Sequence, residues 1–453
     1  MKVIAMLKTK REISQSVVKM SWPIFIEVFL QMLMGNVDQL MISHYSQQSV
    51  AAVANANQMM NVLILLMAVM TTATTILIAQ YRGAQNREKI AEICTVSLFF
   101  NGLFSFSASM LLLFFHRDLF TWMQLPTDVF EEASLYLRIV GGGIMIQGLY
   151  FSLVACFRGH SWTKTTMFVS LGMNVFHIGS NALLIFGCGI IPALGVLGIG
   201  ISTNCSKLLG LITLAYIFKR YLKVEISWKY LHPFPWDSLR QILRISIPSG
   251  GETLSYQLSQ TAIMKIVNIF GLTVITTKVY VAIIATFCYM YAIALSSALQ
   301  IIVGYLIGAG REDLISHKVW RTVLASVVIC SGLTTFFYFG SDYILRIFTD
   351  DPQVLALGKI ILCIEIFLEI GRGVNIVMVC ALQAAGDITT PVTVGIICMW
   401  SMAVGLSYFF AVVLDLGLIG IWIGMACDEC ARAVIFIFRW RSGAWKNRHY
   451  IVN

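Results

Sequence analysis

The sequence predicts an all-α membrane protein in which twelve transmembrane helices form two six-helix bundles related by a parallel internal repeat. Three observations lead to this prediction: an apolar composition, twelve long apolar runs, and a near-constant offset between similar positions of the two halves. Of the 453 residues, 58% are hydrophobic and 12% are charged, whereas about a quarter of the residues of a soluble globular protein are charged. Because so few charges cannot cover soluble domains, the composition indicates a polytopic membrane protein.

The apolar runs have the length that membrane-spanning helices need, which is about 20 residues. They lack the strict alternation of a transmembrane β-barrel, so we expect helices. The twelve runs are 15–43, 52–80, 91–115, 132–156, 163–187, 194–218, 240–269, 276–306, 318–339, 356–383, 389–413 and 417–438. They predict a first lobe at 15–218, an interlobe linker at 219–239 and a second lobe at 240–438, between an amino-terminal segment 1–14 and a tail 439–453.

Lys and Arg are unevenly divided between the two sets of loops. The amino terminus, the loops after even-numbered spans and the carboxyl-terminal tail contain 22 of them, whereas the loops after odd-numbered spans contain four. Since Lys and Arg are retained on the cytoplasmic side of a membrane, both termini are expected in the cytoplasm. This result also requires an even number of spans.

The two halves of the chain resemble each other when one is shifted by 225 residues. Pro23 then falls on Pro248, and Glu27 falls on Glu252. Each half has six spans, so both halves enter the membrane from the same side and the repeat is parallel. Secondary transporters contain such repeats and bind substrate between them. We therefore expect a substrate path between the lobes that opens alternately to the two sides, and a duplicated scaffold without transport is the alternative.

Five short motifs lie at the starts or ends of spans. They are Asn36-Val37-Asp38-Gln39 in the first span, Arg82-Gly83-Ala84 after the second, Phe157-Arg158-Gly159 after the fourth, Asn181 to Gly187 in the fifth, and Gly417 to Trp422 at the start of the last. In their order and spacing these motifs resemble those of the multidrug and toxic compound extrusion (MATE) family of the MOP superfamily. The resemblance extends over about residues 15–445. It implies two six-helix bundles around a V-shaped cavity in a bacterial inner membrane. It also implies export of small organic, often cationic, compounds driven by entry of Na⁺ or H⁺.

The chain departs from the family at three acidic positions. Asn181 stands where the proton-coupled branch has an Asp in helix 5, and Arg372 stands where the sodium-coupled branch has an Asp in helix 10. The helix-7 Glu of the sodium-coupled branch lies further past the proline than Glu252 lies past Pro248. The resemblance therefore leaves the choice between Na⁺ and H⁺ open.

Polar residues in the first span form one stripe. Glu27, Gln31 and Asp38 lie at i, i+4 and i+11, on one face of a helix. Ionisable groups at bilayer depth are functional candidates, so Asp38 is predicted to bind the coupling ion, either a proton or Na⁺, while Glu27 and Gln31 are predicted along the substrate path. The alternative for Asp38 is an interhelical hydrogen bond. Pro23 is predicted to kink this helix, as a hinge or as a static bend.

The second half offers a second set of candidates. Glu252 and Tyr256 form the corresponding stripe after Pro248, the mirror hinge. Glu252 is predicted as an ion-coupling residue and possible Na⁺ ligand, or as the partner of a cation such as Lys265 or Arg372. In the tenth span the candidates are Glu369 and Asn375 for ion coupling and Arg372 for the substrate path. The alternative to ion coupling is that Glu369 and Arg372, at i and i+3, form an intrahelical ion pair.

Buried amides and a histidine complete the predicted path. Asn57 in the second span and His177 and Asn181 in the fifth either contact substrate or form interhelical hydrogen bonds. For His177 a hydrogen-bonded role is favoured over a proton relay. Asp428, Glu429 and Arg432 in the last span are read as a structural ion pair. No other cofactor than the coupling ion is expected, and the chain is predicted to be monomeric.

Two other functions are alternatives to transport of organic cations. A lipid-linked sugar flippase needs a cationic cavity, for which the sequence offers six basic residues within the spans: Lys19, Arg138, Lys207, Lys265, Arg372 and Arg432. An intramembrane lipid-modifying enzyme needs clustered catalytic residues, but the seven His are dispersed. No phosphate-binding loop or HExxH motif is present. The net charge of +9 is spread over many loops, so no nucleic-acid partner is expected.

Overall fold

The computed structural model describes residues 16–187, 192–446, 448 and 450, and these residues form helices and short turns without a strand. Twelve long helical elements follow one another, and each overlaps one predicted run, so the fold-class prediction is confirmed. They are α1 Val17–Ser43, α2 Gln47–Gly83, α3 Arg87–Trp122, α4 Thr127–Gly141 with Ile144–Gly159, α5 Thr163–Phe186, α6 Val196–Ile217, α7 Trp236–Val267, α8 Leu272–Gly308, α9 Ile315–Phe339, α10 Pro352–Ala384, α11 Thr389–Val413 and α12 Gly417–Arg441.

Several helices are longer than the apolar runs that predict them. The helices α2 and α3 begin about one turn before the corresponding runs because Ser46 and Asn86 cap them, each side chain accepting a hydrogen bond from a backbone N–H three residues later. The helix α4 is bent by 41° at Gly141, Gly142 and Gly143. Apolar length therefore marks the part of a helix that lies in hydrocarbon, whereas local capping and glycine decide where the helix begins and bends.

Eight helices of the described residues are long and apolar enough to cross a membrane, and the bent α4 makes nine. The other three long helices, α7, α10 and α12, contain clusters of ionisable side chains. Most of the charged groups in α10 and α12 are paired with each other inside the protein. The charged groups of α10 and α12 are therefore satisfied mainly by other side chains of the protein.

The described chain divides into two compact units. Unit N comprises Ile26–Ser246, and unit C comprises the described residues of Met1–Phe25 and Ile247–Asn453. The division thus falls within α1 and α7, close to Pro23 and Pro248. The first turns of α1 belong to unit C, where Ser21 Oγ lies 3.2 Å from the Tyr291 hydroxyl. The first turns of α7 belong to unit N, where the Tyr81 hydroxyl donates to Gln241 Oε1 at 2.9 Å.

Each unit has its own apolar core. In unit N the core contains side chains of α2, α3, α4 and α6, with Met67, Phe120 and Tyr136 among its fully buried members. In unit C it contains side chains of α7, α8, α10 and α12, including Ile263, Leu362 and Trp422. The two cores correspond to the two predicted six-helix bundles.

The end of the chain folds back on unit C. Asp387, in the turn between α10 and α11, is fully buried and accepts hydrogen bonds from Arg439 Nε at 2.7 Å, Arg448 Nη1 at 2.9 Å and Thr390 Oγ1 at 2.9 Å. Beside it the Trp445 ring stacks on that of Trp440, with centroids 4.4 Å apart. The described part of the predicted tail is therefore integrated into the fold.

We expect Asp387→Ala to release this end of the chain. The substitution leaves the Arg439 and Arg448 guanidinium groups without their shared carboxylate, and loss of one partner of a partly exposed pair should cost about 2 kcal/mol. Limited trypsin digestion should then cleave after Lys446 and Arg441 faster than in the unmodified protein. Asp313→Ala, which removes an exposed carboxylate from unit C, should leave the cleavage rate unchanged. Equal cleavage of both variants would show that Asp387 does not hold the tail.

Candidate functional site

Asp38 lies in a buried polar site of unit N. Asp38 belongs to α1, and 7% of its surface is exposed to solvent. His177 Nε2 lies 2.7 Å from Asp38 Oδ1, and Asn181 Nδ2 donates to the same oxygen at 2.6 Å. Because His177 and Asn181 are one turn apart on α5, one face of that helix presents both groups to the carboxylate. The structure thus brings together three residues that the sequence analysis placed on two separate helices.

The other ring nitrogen of His177 faces hydroxyl groups of α6. Ser206 Oγ lies 3.2 Å from His177 Nδ1, and Ser202 Oγ lies 3.4 Å from it. The imidazole is fully buried and has polar neighbours at both nitrogens. Either nitrogen can therefore carry the ring proton while the ring keeps hydrogen-bonding partners. Lys207, one position after Ser206, interacts electrostatically with Asp38.

Two nitrogen atoms lie within hydrogen-bonding distance of one oxygen of the Asp38 side chain. Both described partners of Asp38 Oδ1 are nitrogen atoms, whereas a hard cation such as Na⁺ takes several oxygen ligands. Asn181 Oδ1 is buried without a hydrogen-bond partner. Among the described residues no group of three or more His, Cys, Asp or Glu side chains is arranged to hold a metal ion.

Glu27 belongs to a different site of unit N. Its fully buried carboxylate lies 2.9 Å from Arg158 Nη2 and accepts a hydrogen bond from Thr166 Oγ1 at 3.0 Å. Both contacts use Oε2, and Glu27 Oε1 and Arg158 Nε have no partner. Glu27 thus joins the end of α4 and the first turn of α5 to α1, and it does not contact Asp38.

Unit C contains a larger ionic cluster, built from α10 and α12. Arg372 donates to Glu369 and to Glu365, the latter at 3.1 Å, and its Nε lies 3.7 Å from Glu429 Oε1. Its guanidinium group also lies 4.8 Å from the centre of the Tyr289 ring. The intrahelical pair of Glu369 and Arg372 is therefore present, within a wider network.

A second guanidinium group completes this cluster. Arg432 lies 2.5 Å from Asp428 and 3.1 Å from Glu429. Asn375 Nδ2 donates to Glu429 Oε2 at 2.6 Å. Four carboxylates thus share two guanidinium groups, and Glu369 Oε2 and Asp428 Oδ1 are buried without partners. The cluster has an excess of acidic groups, which a bound proton or another cation can balance.

Glu252 approaches this cluster from α7 without an ion pair shorter than 4 Å among the described residues. Its electrostatic partner is Arg432, and neither Lys265, which is exposed, nor Arg372 pairs with it. A Cβ atom at Gly395 of α11 would lie only 3.0 Å from Glu252 Oε1. The absence of a side chain at Gly395 therefore makes room for the Glu252 carboxylate.

The remaining predicted residues lie apart from these clusters. Gln31 is exposed on α1 between Glu27 and Asp38. Asn57 Oδ1 accepts a hydrogen bond from the Tyr136 hydroxyl at 3.4 Å, and Tyr136 also interacts electrostatically with Asp38. Tyr256 is 39% exposed on α7. Their predicted contact with substrate, like the hinge roles of Pro23 and Pro248, stays a prediction.

Of the six basic residues predicted for a cationic cavity, Arg372 and Arg432 share a site, the cluster of unit C. There they are paired with carboxylates. Lys207 lies near Asp38 in unit N, and the exposed residues are Lys19, Arg138 and Lys265. Among the described residues, the one site that contains two of these cations therefore also contains four carboxylates.

A comparison with known families connects this architecture to a group of transporters. The MatE family model matches residues 23–183 and, a second time, residues 248–409. The chain belongs to the MATE family. The two matches begin at Pro23 and Pro248, so they reproduce the offset of 225 residues on which the internal repeat rests. As a member of this family with many apolar helices, the chain is a multi-pass membrane transporter.

Relatives of this MATE transporter align over nearly their whole length. It is 35% identical over 439 residues to "Uncharacterized transporter YisQ" of Bacillus subtilis, covering 97% of this chain and 96% of the relative. It is 25% identical to "Probable multidrug resistance protein NorM" of Thermotoga maritima, covering 96% and 94%. A crystal structure of a MATE protein in the bent conformation superposes with a TM-score of 0.88 at 21% identity, over 95% of this chain and 96% of that one. This structural likeness supports the fold.

Some residues of these sites escaped the sequence analysis. Glu365 was not singled out, although its spacing of four and seven residues from Glu369 and Arg372 places all three on one helix face. Arg158 was noted only within a motif, and Ser202 and Ser206 were not considered. Helical spacing could have indicated Glu365 and the serine pair, but nothing local to Arg158 indicates Glu27, which lies 131 positions earlier.

Proposed function

We propose that this MATE transporter exports small organic, mainly cationic, compounds by antiport with protons. The observation that carries the proposal is the buried Asp38 carboxylate, whose neighbours His177 and Asn181 donate hydrogen bonds and do not supply a shell of oxygen ligands. The NorM relatives, which are probable multidrug resistance proteins, support small organic compounds as the substrate class.

In this mechanism Asp38 takes up a proton in one state and loses it in the other. Antiport requires that proton and substrate favour different conformations of the same element. Protonation removes the negative charge of Asp38, which attracts the Lys207 ammonium group and accepts hydrogen bonds from α5. The hydrogen bonds that join α1, α5 and α6 through His177 therefore change when Asp38 is protonated. Polar residues on the same stretch of α1, such as Gln31, would then meet substrate, and Pro23 would allow α1 to bend.

The ionic cluster of unit C has a supporting role in this proposal. Its acidic excess allows Glu252 and Glu369 to take part in ion coupling, with Asn375 orienting Glu429. Arg372 already provides a positive charge at the centre of the cluster. We therefore assign the main coupling site to unit N. We further propose an inner-membrane location with both termini in the cytoplasm, and a monomeric transporter.

Transport assays in proteoliposomes test the proposal. The purified protein is reconstituted, a fluorescent organic cation is loaded, and either a pH gradient or a Na⁺ gradient is imposed alone. We expect the pH gradient to stimulate efflux and the Na⁺ gradient to leave it at the level of liposomes without a gradient. Stimulation by Na⁺ alone would overturn proton coupling. No efflux of any tested cation from correctly inserted protein would contradict the substrate class and favour a lipid-linked substrate.

A further inference from the structure

The connection between α6 and α7, residues 218–236, is fastened to unit N. Phe218 and Leu231 are buried in it, and Leu231 ends a short 3₁₀ turn, Trp228–Leu231. Beyond the connection, Ser238 donates a hydrogen bond to Glu92 of α3. The connection is therefore held against the body of the unit and does not hang free in solvent.

A row of aromatic rings runs along this connection. The Phe99 ring of α3 makes edge contacts with Trp228 at 6.4 Å and with Phe234 at 6.3 Å, and Phe234 contacts Trp236 at 4.8 Å. Despite these contacts Trp228 is 72% exposed and Trp236 is 71% exposed. Trp side chains with one open face are characteristic of the boundary between membrane and water.

The position of Phe99 places this row near one end of α3. Phe99 lies twelve residues after the start of α3, which is about 18 Å along the axis, and well before the kink at Phe115. Arg87 and Glu88 at the start of α3 are exposed, and the predicted apolar run of this span begins at residue 91. Phe99 therefore lies between the polar start of α3 and its apolar middle, and the rings of Trp228 and Phe234 contact it there.

Basic residues flank the aromatic row in the sequence. Between residues 219 and 240, five basic side chains are exposed, against two exposed acidic ones, Glu225 and Asp237. The five are Lys219, Arg220, Lys223, Lys229 and Arg240. Lys229 pairs with Glu225 at 2.7 Å, whereas the other four form no ion pair within the described chain. The connection thus combines exposed positive charge with exposed Trp rings on one short stretch of chain.

We propose that this surface, formed by residues 219–240 around Trp228 and Trp236, binds the headgroups of anionic phospholipids. Basic residues next to a membrane attract anionic lipids, and the open Trp faces can pack against the upper part of the acyl chains. The four basic residues without a protein partner supply the charge that the lipid phosphate complements. Through this connection, the end of α6 and the start of α7 contact anionic lipid.

Energy transfer from tryptophan to labelled lipid tests this proposal without any transport measurement. The full chain is placed in phosphatidylcholine nanodiscs that contain a trace of either dansyl-phosphatidylglycerol or dansyl-phosphatidylcholine. We expect transfer to the anionic lipid to exceed transfer to the zwitterionic lipid by at least about fivefold, since one Lys or Arg at an anionic surface has about this effect. The variant Lys219→Gln/Arg220→Gln/Lys223→Gln should bring the ratio close to one. The variant Trp228→Phe/Trp236→Phe should remove most of the excess transfer.

The matched control removes three basic residues that lie elsewhere: Arg117 near the end of α3, Arg346 in the connection between α9 and α10, and Lys359 near the start of α10. Arg117→Gln/Arg346→Gln/Lys359→Gln makes the same change in net charge and should leave the transfer ratio as in the unmodified protein. A ratio of one for the unmodified protein, or an unchanged ratio in the variant of residues 219–223, would overturn the proposal. Loss of the excess with inorganic phosphate, but not with sodium chloride of equal ionic strength, would show that the surface recognises the phosphate group of the lipid and would support the proposal.

Discussion

Asp38→Asn is expected to abolish the stimulation of efflux by a pH gradient. The amide preserves the shape of the side chain and can still hydrogen-bond with His177 and Asn181, but it cannot take up and release a proton. Coupling free energies between two ligands are about 1–3 kcal/mol, or about 5–150-fold, so we expect a stimulation in that range to fall to onefold. Initial efflux rates with and without the pH gradient measure the effect.

Two further assays separate coupling from folding and substrate binding. Substrate counterflow, which needs no gradient, should persist in Asp38→Asn because the alternation between states does not require net proton movement. The control Asp118→Asn makes the same chemical change at an exposed position of unit N and should keep full stimulation. Stimulated efflux by Asp38→Asn equal to that of the control would show that the coupling proton binds elsewhere, and the unit C cluster would then be the first alternative.

The second large effect concerns stability, and we expect it from Arg372→Met. Methionine is similar in volume but leaves Glu365, Glu369, Asp428 and Glu429 with one guanidinium group in place of two. Breaking a buried ion pair from one side costs about 3–5 kcal/mol because the remaining charge is buried without compensation. For a unit of about 200 residues this corresponds to a decrease of about 10 °C in the melting temperature. Thermal unfolding in detergent measures it.

A double variant makes this prediction specific to the ionic cluster. Arg372→Met combined with Glu369→Met removes one positive and one negative charge, and it should recover at least half of the lost melting temperature. The exposed Arg346→Met of unit C should leave the melting temperature within about 1 °C. If the double variant melts as low as the single one, packing around Arg372, including its contact with Tyr289, stabilises the unit more than the charge does.

The two variants also distinguish the roles of the two ionic sites. In unit N a single carboxylate has donors on one oxygen and a histidine between two helices, which suits a group that gains and loses a proton. In unit C the positive charges are already part of the protein. A loss of coupling with retained stability in Asp38→Asn, together with a loss of stability in Arg372→Met, is therefore the combined result that the geometry predicts.

Composition and apolar periodicity were sufficient to predict the twelve helices and the repeat. Any span must present about 20 apolar residues to the lipid, and this requirement is local, so it can be read from a single run. The same reasoning identified Asp38 and Glu252, because a charged residue in an apolar run is conspicuous whatever its surroundings. Apolar length alone predicts that α2 and α3 begin about one turn later than they do. Their first residues are decided by the capping side chains of Ser46 and Asn86.

The partners of those charged residues depend on how the helices pack. His177 lies 139 positions after Asp38, and Arg158 lies 131 positions after Glu27, and no local pattern connects residues so far apart. The sequence by itself therefore determined how many long helices form, how the halves repeat, and which groups within the apolar runs are ionisable. Only the tertiary structure decided that Asp38 contacts His177, that Glu27 pairs with Arg158 and that Arg372 pairs with three carboxylates. The physical reason is that the electrostatic cost of a buried charge depends on the groups that other helices bring within hydrogen-bonding distance.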